Sequence, residues 1–131
     1  MPQARLTLID TSSWIEALRR NGRAEVRERV ARLMSEGRAA WCDLVALELW
    51  NGARGGYERD QLQKLGRELV MLPTTDRAWS RARALAERCR SAGNTVPATD
   101  LIIAACALVH GADVEHCDAH LKIITDLARK N

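Results

Sequence analysis

The sequence predicts an α/β protein, a three-layer α/β/α sandwich around a mostly parallel central sheet of four to five short strands. The first observation behind this is order along the chain: brief apolar runs alternate with segments of helical length. A parallel strand pair needs such a crossover, because a hairpin turn cannot join two strands that run the same way. The second is composition. Among 131 residues 47% are hydrophobic, enough to cover both faces of a small sheet within a single domain over residues 1–131.

The first strand is read in "RLTLID", Arg5 to Asp10, an apolar run that stops at an acid. A helix follows in "TSSWIEALRR", with Thr11, Ser12 and Ser13 as capping residues and Asn21-Gly22 as the stop. A second helix fits Ala24 to Ser35. "RAAWCD" reads as a short strand running into a helix over "LVALELWNGAR", which closes at Gly52 and again at Gly55-Gly56. Residues 58 to 68 look helical, and "LVMLP" is a strand ended by Pro73. Asp76 to Ala92 forms a long amphipathic helix that Gly93-Asn94 terminates. "VPATDLIIAACALVHG" then gives a helix bounded by Pro97 and Gly111, "ADVEHCD" a last strand, and Ala119 to Arg129 the final helix.

Several function classes lose ground on composition. No apolar run approaches the roughly 20 residues of a membrane span, and the N-terminus lacks a signal peptide's apolar segment, so a soluble cytoplasmic protein is expected. Cys42, Cys89, Cys106 and Cys117 form no C-x-x-C pair, which favours free thiols over disulfides or a zinc site. The net charge is +3, with 17 arginines against 3 lysines. Arginine's planar fork suits phosphate, which gives a nucleic-acid partner some weight. In "RAEVRERVARL" the ordinary reading is a solvated helix face paired through Glu25 with Arg29 and Glu28 with Arg32.

Four acids stand out against this background. In open parallel sheets, ligands sit beyond the carboxyl ends of the strands. Asp10 ends the first strand, Asp118 follows the last, and Glu48 and Asp100 lie on helices entering the sheet layer. Taken singly, Asp10 and Asp118 have ordinary uses as caps or turns, and Glu48 as a surface acid. Asp100 is different, because Leu101 to Val109 is apolar on every side, the pattern of a helix buried all round. The helix dipole favours an acid in the first turn, but a buried carboxylate still costs several kcal/mol unless something pairs it. Four acids converging on one dry cleft would repel each other and raise their own pKa values unless a cation joined them.

"LIDTSSWI", "ALELWNGA", a Pro-x-x-Asp opening an Ile-Ala-Ala helix in "PATDLIIAA", and a late Asp-x-His together resemble the PIN domain. The match is nearest to the VapC-type ribonuclease toxins of bacterial and archaeal toxin-antitoxin pairs and extends from Leu6 to about Ile124. The resemblance implies a Mg²⁺- or Mn²⁺-dependent ribonuclease with catalytic Asp10, Glu48, Asp100 and Asp118. Asp10 and Asp100 are the expected direct metal ligands, with Thr11 or Ser12 as hydroxyl support. One ion or two fits equally well. It also implies a VapB-type antitoxin, whose tail would lie in a groove walled by Trp14 and Trp50, and a homodimer. Two places depart from the family's pattern: His116 stands where Thr or Ser is common, and Leu121 where an aromatic is. His116 and His120 are expected in supporting or surface roles rather than as phosphate contacts. Core packing is expected for most of Trp14, Trp41, Trp50, Trp79 and Tyr57. A PIN-fold RNA-processing nuclease without an antitoxin, and a catalytically silent PIN-fold binding module, are the competing readings.

Overall fold

The computed structural model describes residues 5–130. Its elements run β1 (Thr7–Ile9), α1 (Thr11–Leu18), α2 (Ala24–Ser35), β2 (Ala39–Cys42), α3 (Asp43–Asn51), α4 (Gly56–Glu68), β3 (Val70–Leu72), α5 (Asp76–Ser91), α6 (Ala98–Val109), β4 (Asp113–Glu115) and α7 (Ala119–Arg129). The helices lie close to where the sequence places them. Each strand is shorter than the apolar run in which the sequence places it. Gly56, expected as a stop, instead opens α4 after Gly55, whose φ of +100° suits only glycine at that turn.

The four strands form one parallel sheet in the order β3-β2-β1-β4. Leu8 lies opposite Ala40 on one side and Val114 on the other. Every residue of β1 and β2 is buried, as in a sheet covered on both faces. Helices α1 and α2 pack on each other, as do α5, α6 and α7. This topology decides where a site can form. From β1 the chain passes through α1 and α2 to β2 on one side, whereas from β3 it passes through α5 and α6 to β4 on the other. The strand order therefore reverses between β1 and β4, and a crevice opens at their carboxyl ends.

Helix α6 is buried without interruption from Leu101 to Ala107. The Cys106 thiol donates to the Leu72 carbonyl at 3.5 Å, and the His110 ring hydrogen-bonds the Pro73 carbonyl at 2.8 Å. Its exit is equally tight: Gly111 takes φ +66°, Ala112 N–H reaches back to the Ala107 carbonyl at 2.9 Å, and β4 begins one residue later. Between α1 and α2, a β-carbon on Gly22 would collide with the Glu16 carbonyl, so the turn closes only with glycine there. No described helix is long and apolar enough to cross a membrane.

Candidate active site

Asp10 leaves β1 still in the ladder, its N–H bonded to the Glu115 carbonyl of β4 at 2.9 Å. It is also the N-cap of α1: Oδ2 accepts from Ser12 N–H at 3.0 Å and from Ser12 Oγ at 2.6 Å. Ser12 Oγ in turn accepts from Cys117 N–H at 3.0 Å, tying the end of β1 to the loop after β4. The next acid is held by the neighbouring hydroxyl, since Thr11 Oγ1 donates to Glu48 Oε1 at 2.7 Å. Both hydroxyls expected as support are therefore used, but for different acids. Glu48 is half-buried on α3.

Asp118 is the N-cap of α7, its Oδ1 accepting from His120 and Leu121 N–H at 2.8 and 3.0 Å. Asp100, in the first turn of α6, accepts no hydrogen bond among the described residues, although its side chain is only 14% exposed. Burial pushes its carboxyl up to about 6, helped by repulsion from Asp118, Asp10 and, more weakly, Glu48, and opposed by His120. All four acids thus act on one cleft. No lysine or arginine forms an ion pair with any of them among the described residues; the His120 ring stands beside two of them, with Nδ1 3.9 Å from Asp100 Oδ2 and 3.8 Å from Asp118 Oδ1. Oxygens of Asp100 and Asp118 and a ring nitrogen of His120 lie within 4.8 Å of one another, a spacing that can hold a metal ion. Asp10 and Glu48 stand outside that triad. His116 Nδ1 accepts from Asp118 N–H at 3.2 Å.

Three features escaped the sequence reading. Ser13, fully buried, donates to Glu115 Oε2 at 2.7 Å, so each hydroxyl of Thr11-Ser12-Ser13 holds a different carboxylate. Glu115 also receives Arg29, Nε to Oε1 at 2.7 Å. The expected Glu25–Arg29 and Glu28–Arg32 pairs do not form. A bidentate pair with a carboxylate only 11% exposed outweighs a solvated one. The tryptophans divide: Trp14 and Trp41 are core, while Trp50 and Trp79 are exposed, as is Tyr57. The groove beside Glu48, about 890 Å³, runs between α1, α3 and α4 past Ile15, Leu49 and Tyr57 with Arg19, Arg20 and Arg27 along it; neither Trp14 nor Trp50 lines it.

Fold and site define an α/β domain with a carboxylate cleft at the switch point of a parallel sheet. The PIN domain family model matches residues 7–127. VapC ribonuclease Mb1587 of Mycobacterium bovis and Ribonuclease VapC11 of Mycobacterium tuberculosis are each 38% identical over 123 residues, 91% of this chain and 91% of theirs. Among solved structures, VapBC-1 from nontypeable Haemophilus influenzae has a TM-score of 0.73 at 22% identity, covering 92% of this chain and 93% of that one. FitAcB from Neisseria gonorrhoeae has a TM-score of 0.73 at 20% identity, covering 92% and 94%. These two likenesses are of fold. The chain belongs to the PIN-domain family and, within it, to the VapC ribonucleases.

Proposed function

We propose that this chain, as one PIN domain over residues 1–131, is a divalent-metal-dependent endoribonuclease and the toxin of a type II toxin-antitoxin pair, acting in the cytoplasm. The observation that carries the reading is Asp100: a carboxylate held by an apolar helix, faced by three other acids and pushed up to about 6. The ribonuclease names of the 38% identical relatives support RNA as substrate, and VapBC-1 among the similar folds supports a VapB-type antitoxin. The groove beside Glu48, apolar with arginines along it, is the seat this reading gives to the antitoxin's tail. A homodimer completes the assembly.

The donor set fits Mg²⁺ or Mn²⁺, since hard divalent ions take oxygen ligands and are held by a few carboxylates, waters and substrate phosphate. Asp10 and Asp100 would hold the ion directly, with Glu48 and Asp118 completing the shell directly or through water. When bound, the ion supplies charge that polarises the scissile phosphate, acidifies the attacking water and stabilises the leaving oxygen. The protein's part is positioning. Ser12 occupies Oδ2 of Asp10 and leaves Oδ1 for the cleft, and Thr11 likewise leaves Glu48 Oε2. Capping α7 takes Asp118 Oδ1 and leaves Oδ2. Glu48 Oε2 and Asp118 Oδ2 then orient the water for attack on phosphorus.

Incubating total RNA with Mg²⁺ or Mn²⁺ and each of three proteins tests this. Wild type should cut internally, and Asp10→Asn and Asp100→Asn should each lose about 10²-fold or more in rate. Chelator-resistant cleavage, or an unaffected Asp100→Asn, would overturn the mechanism.

A further inference from the structure

We propose that His120 is itself a metal ligand, and that its imidazole makes this cleft prefer Mn²⁺ over Mg²⁺. The inference rests on the metal-dependent reading above and adds to it a residue and a selectivity. The geometry comes first. Donors on one ion with bonds of about 2.1 Å lie about 3.0 Å apart when adjacent and about 4.2 Å apart when opposite. His120 Nδ1 stands 3.9 Å from Asp100 Oδ2, inside that range and too far for a hydrogen bond, and a carboxylate oxygen of Asp118 lies within 4.8 Å of both.

The backbone supports the placement. His120 is the second residue of α7, and its N–H is fixed on Asp118 Oδ1 at 2.8 Å, so ring and carboxylate start from one rigid turn. Its side chain is 48% exposed, so packing does not account for where the ring sits. Charge gives a further reason. A neutral imidazole adds a donor to a cleft that already holds four carboxylates without adding a fifth negative charge. It also changes which ion is favoured: Mg²⁺ holds its waters and prefers oxygen, whereas first-row transition ions accept imidazole nitrogen readily.

The alternative is that His120 is only a cation beside two acids, and metal binding separates the two roles without any RNA. Chelator-stripped protein would be titrated with Mn²⁺, following free ion by electron paramagnetic resonance, and with Mg²⁺ by competition. Cobalt(II) absorption spectra would report nitrogen ligation. Wild type should favour Mn²⁺ by about tenfold or more, and His120→Ala should lose about tenfold in Mn²⁺ affinity with a smaller loss for Mg²⁺. His120→Asp, which restores a donor of oxygen type, should bind Mg²⁺ better than His120→Ala and show a cobalt spectrum altered from wild type. If both variants keep the wild-type Mn²⁺-to-Mg²⁺ ratio while Asp100→Asn loses both ions, His120 is no ligand and the metal site stands without it. Wild type that binds neither ion would overturn the metal reading itself.

Discussion

Asp10 and Asp100 face the same cleft, yet the protein treats them in opposite ways. Asp10 is the more deeply buried, 4% exposed, and receives two donors from Ser12. Asp100 keeps slightly more access and accepts no hydrogen bond among the described residues, and its carboxyl is pushed up to about 6. Burial and the neighbouring acids raise Asp100 with no donor to offset them, whereas Asp10 has both Ser12 donors. Asp10 is a structural acid with one oxygen to spare, while the fold leaves Asp100 to be neutralised by something from outside.

The largest expected effect separates the pair from the rest of the chain. Ion at about 100 times its Kd should stabilise wild type by about 3 kcal/mol. In Asp100→Asn most of that gain should vanish, and equal shifts in melting temperature with Mn²⁺ would break the idea of a shared site. Next in size, Asp10→Ala removes the α1 cap and strands Ser12, which should cost about 2 kcal/mol even without metal. For a chain of this length that is a fall of roughly 5–10 °C. A metal-free Asp10→Ala that melts with wild type would mean the Ser12 bonds hold nothing in place.

Much of this was legible in the sequence, and particular residues show where legibility ended. Chain order alone marks three of the acids, Asp10 and Asp118 after strands and Asp100 opening an apolar helix; Glu48, in the middle of α3, is marked by its place in the family's pattern. Cap and ligand roles for Asp10 and Asp118 looked like rivals in the sequence, but a carboxylate has two oxygens. Capping takes Oδ2 of Asp10 and Oδ1 of Asp118 and leaves the other. The partners across the fold were not legible. Arg29 passes over Glu25 on its own helix for Glu115 on β4, 86 residues away, because tertiary packing offers it a more buried carboxylate. Ser13 reaches the same Glu115 across 102 residues. His120 could have been suspected from its spacing, two residues after Asp118 at the start of a helix, but its distance to Asp100 depends on how α6 and α7 pack.

The smallest expected effect tests the comparison most directly. Without metal, the folded protein holds a proton on Asp100 up to about pH 6, against an ordinary value of 3.8. Folded Asp100 therefore binds its proton more tightly than the unfolded chain does, and the ionised acid is a net cost to the fold at neutral pH. Asp100→Asn should accordingly melt at or above wild type at pH 7. The full shift converts to about 3 kcal/mol, and water at the cleft mouth screens it to about 1 kcal/mol. The advantage of the variant should shrink as pH falls through 6 and vanish only below the ordinary value of 3.8, where both states of wild type are protonated. Running the series in parallel on His120→Ala removes the neighbour that lowers Asp100's proton affinity, so the gap between that protein and its Asp100→Asn double variant should be wider. An advantage that stayed constant from pH 4 to 7 would mean that the amide improves packing rather than relieving charge, and Asp100 would lose its standing as the acid the fold leaves unpaired.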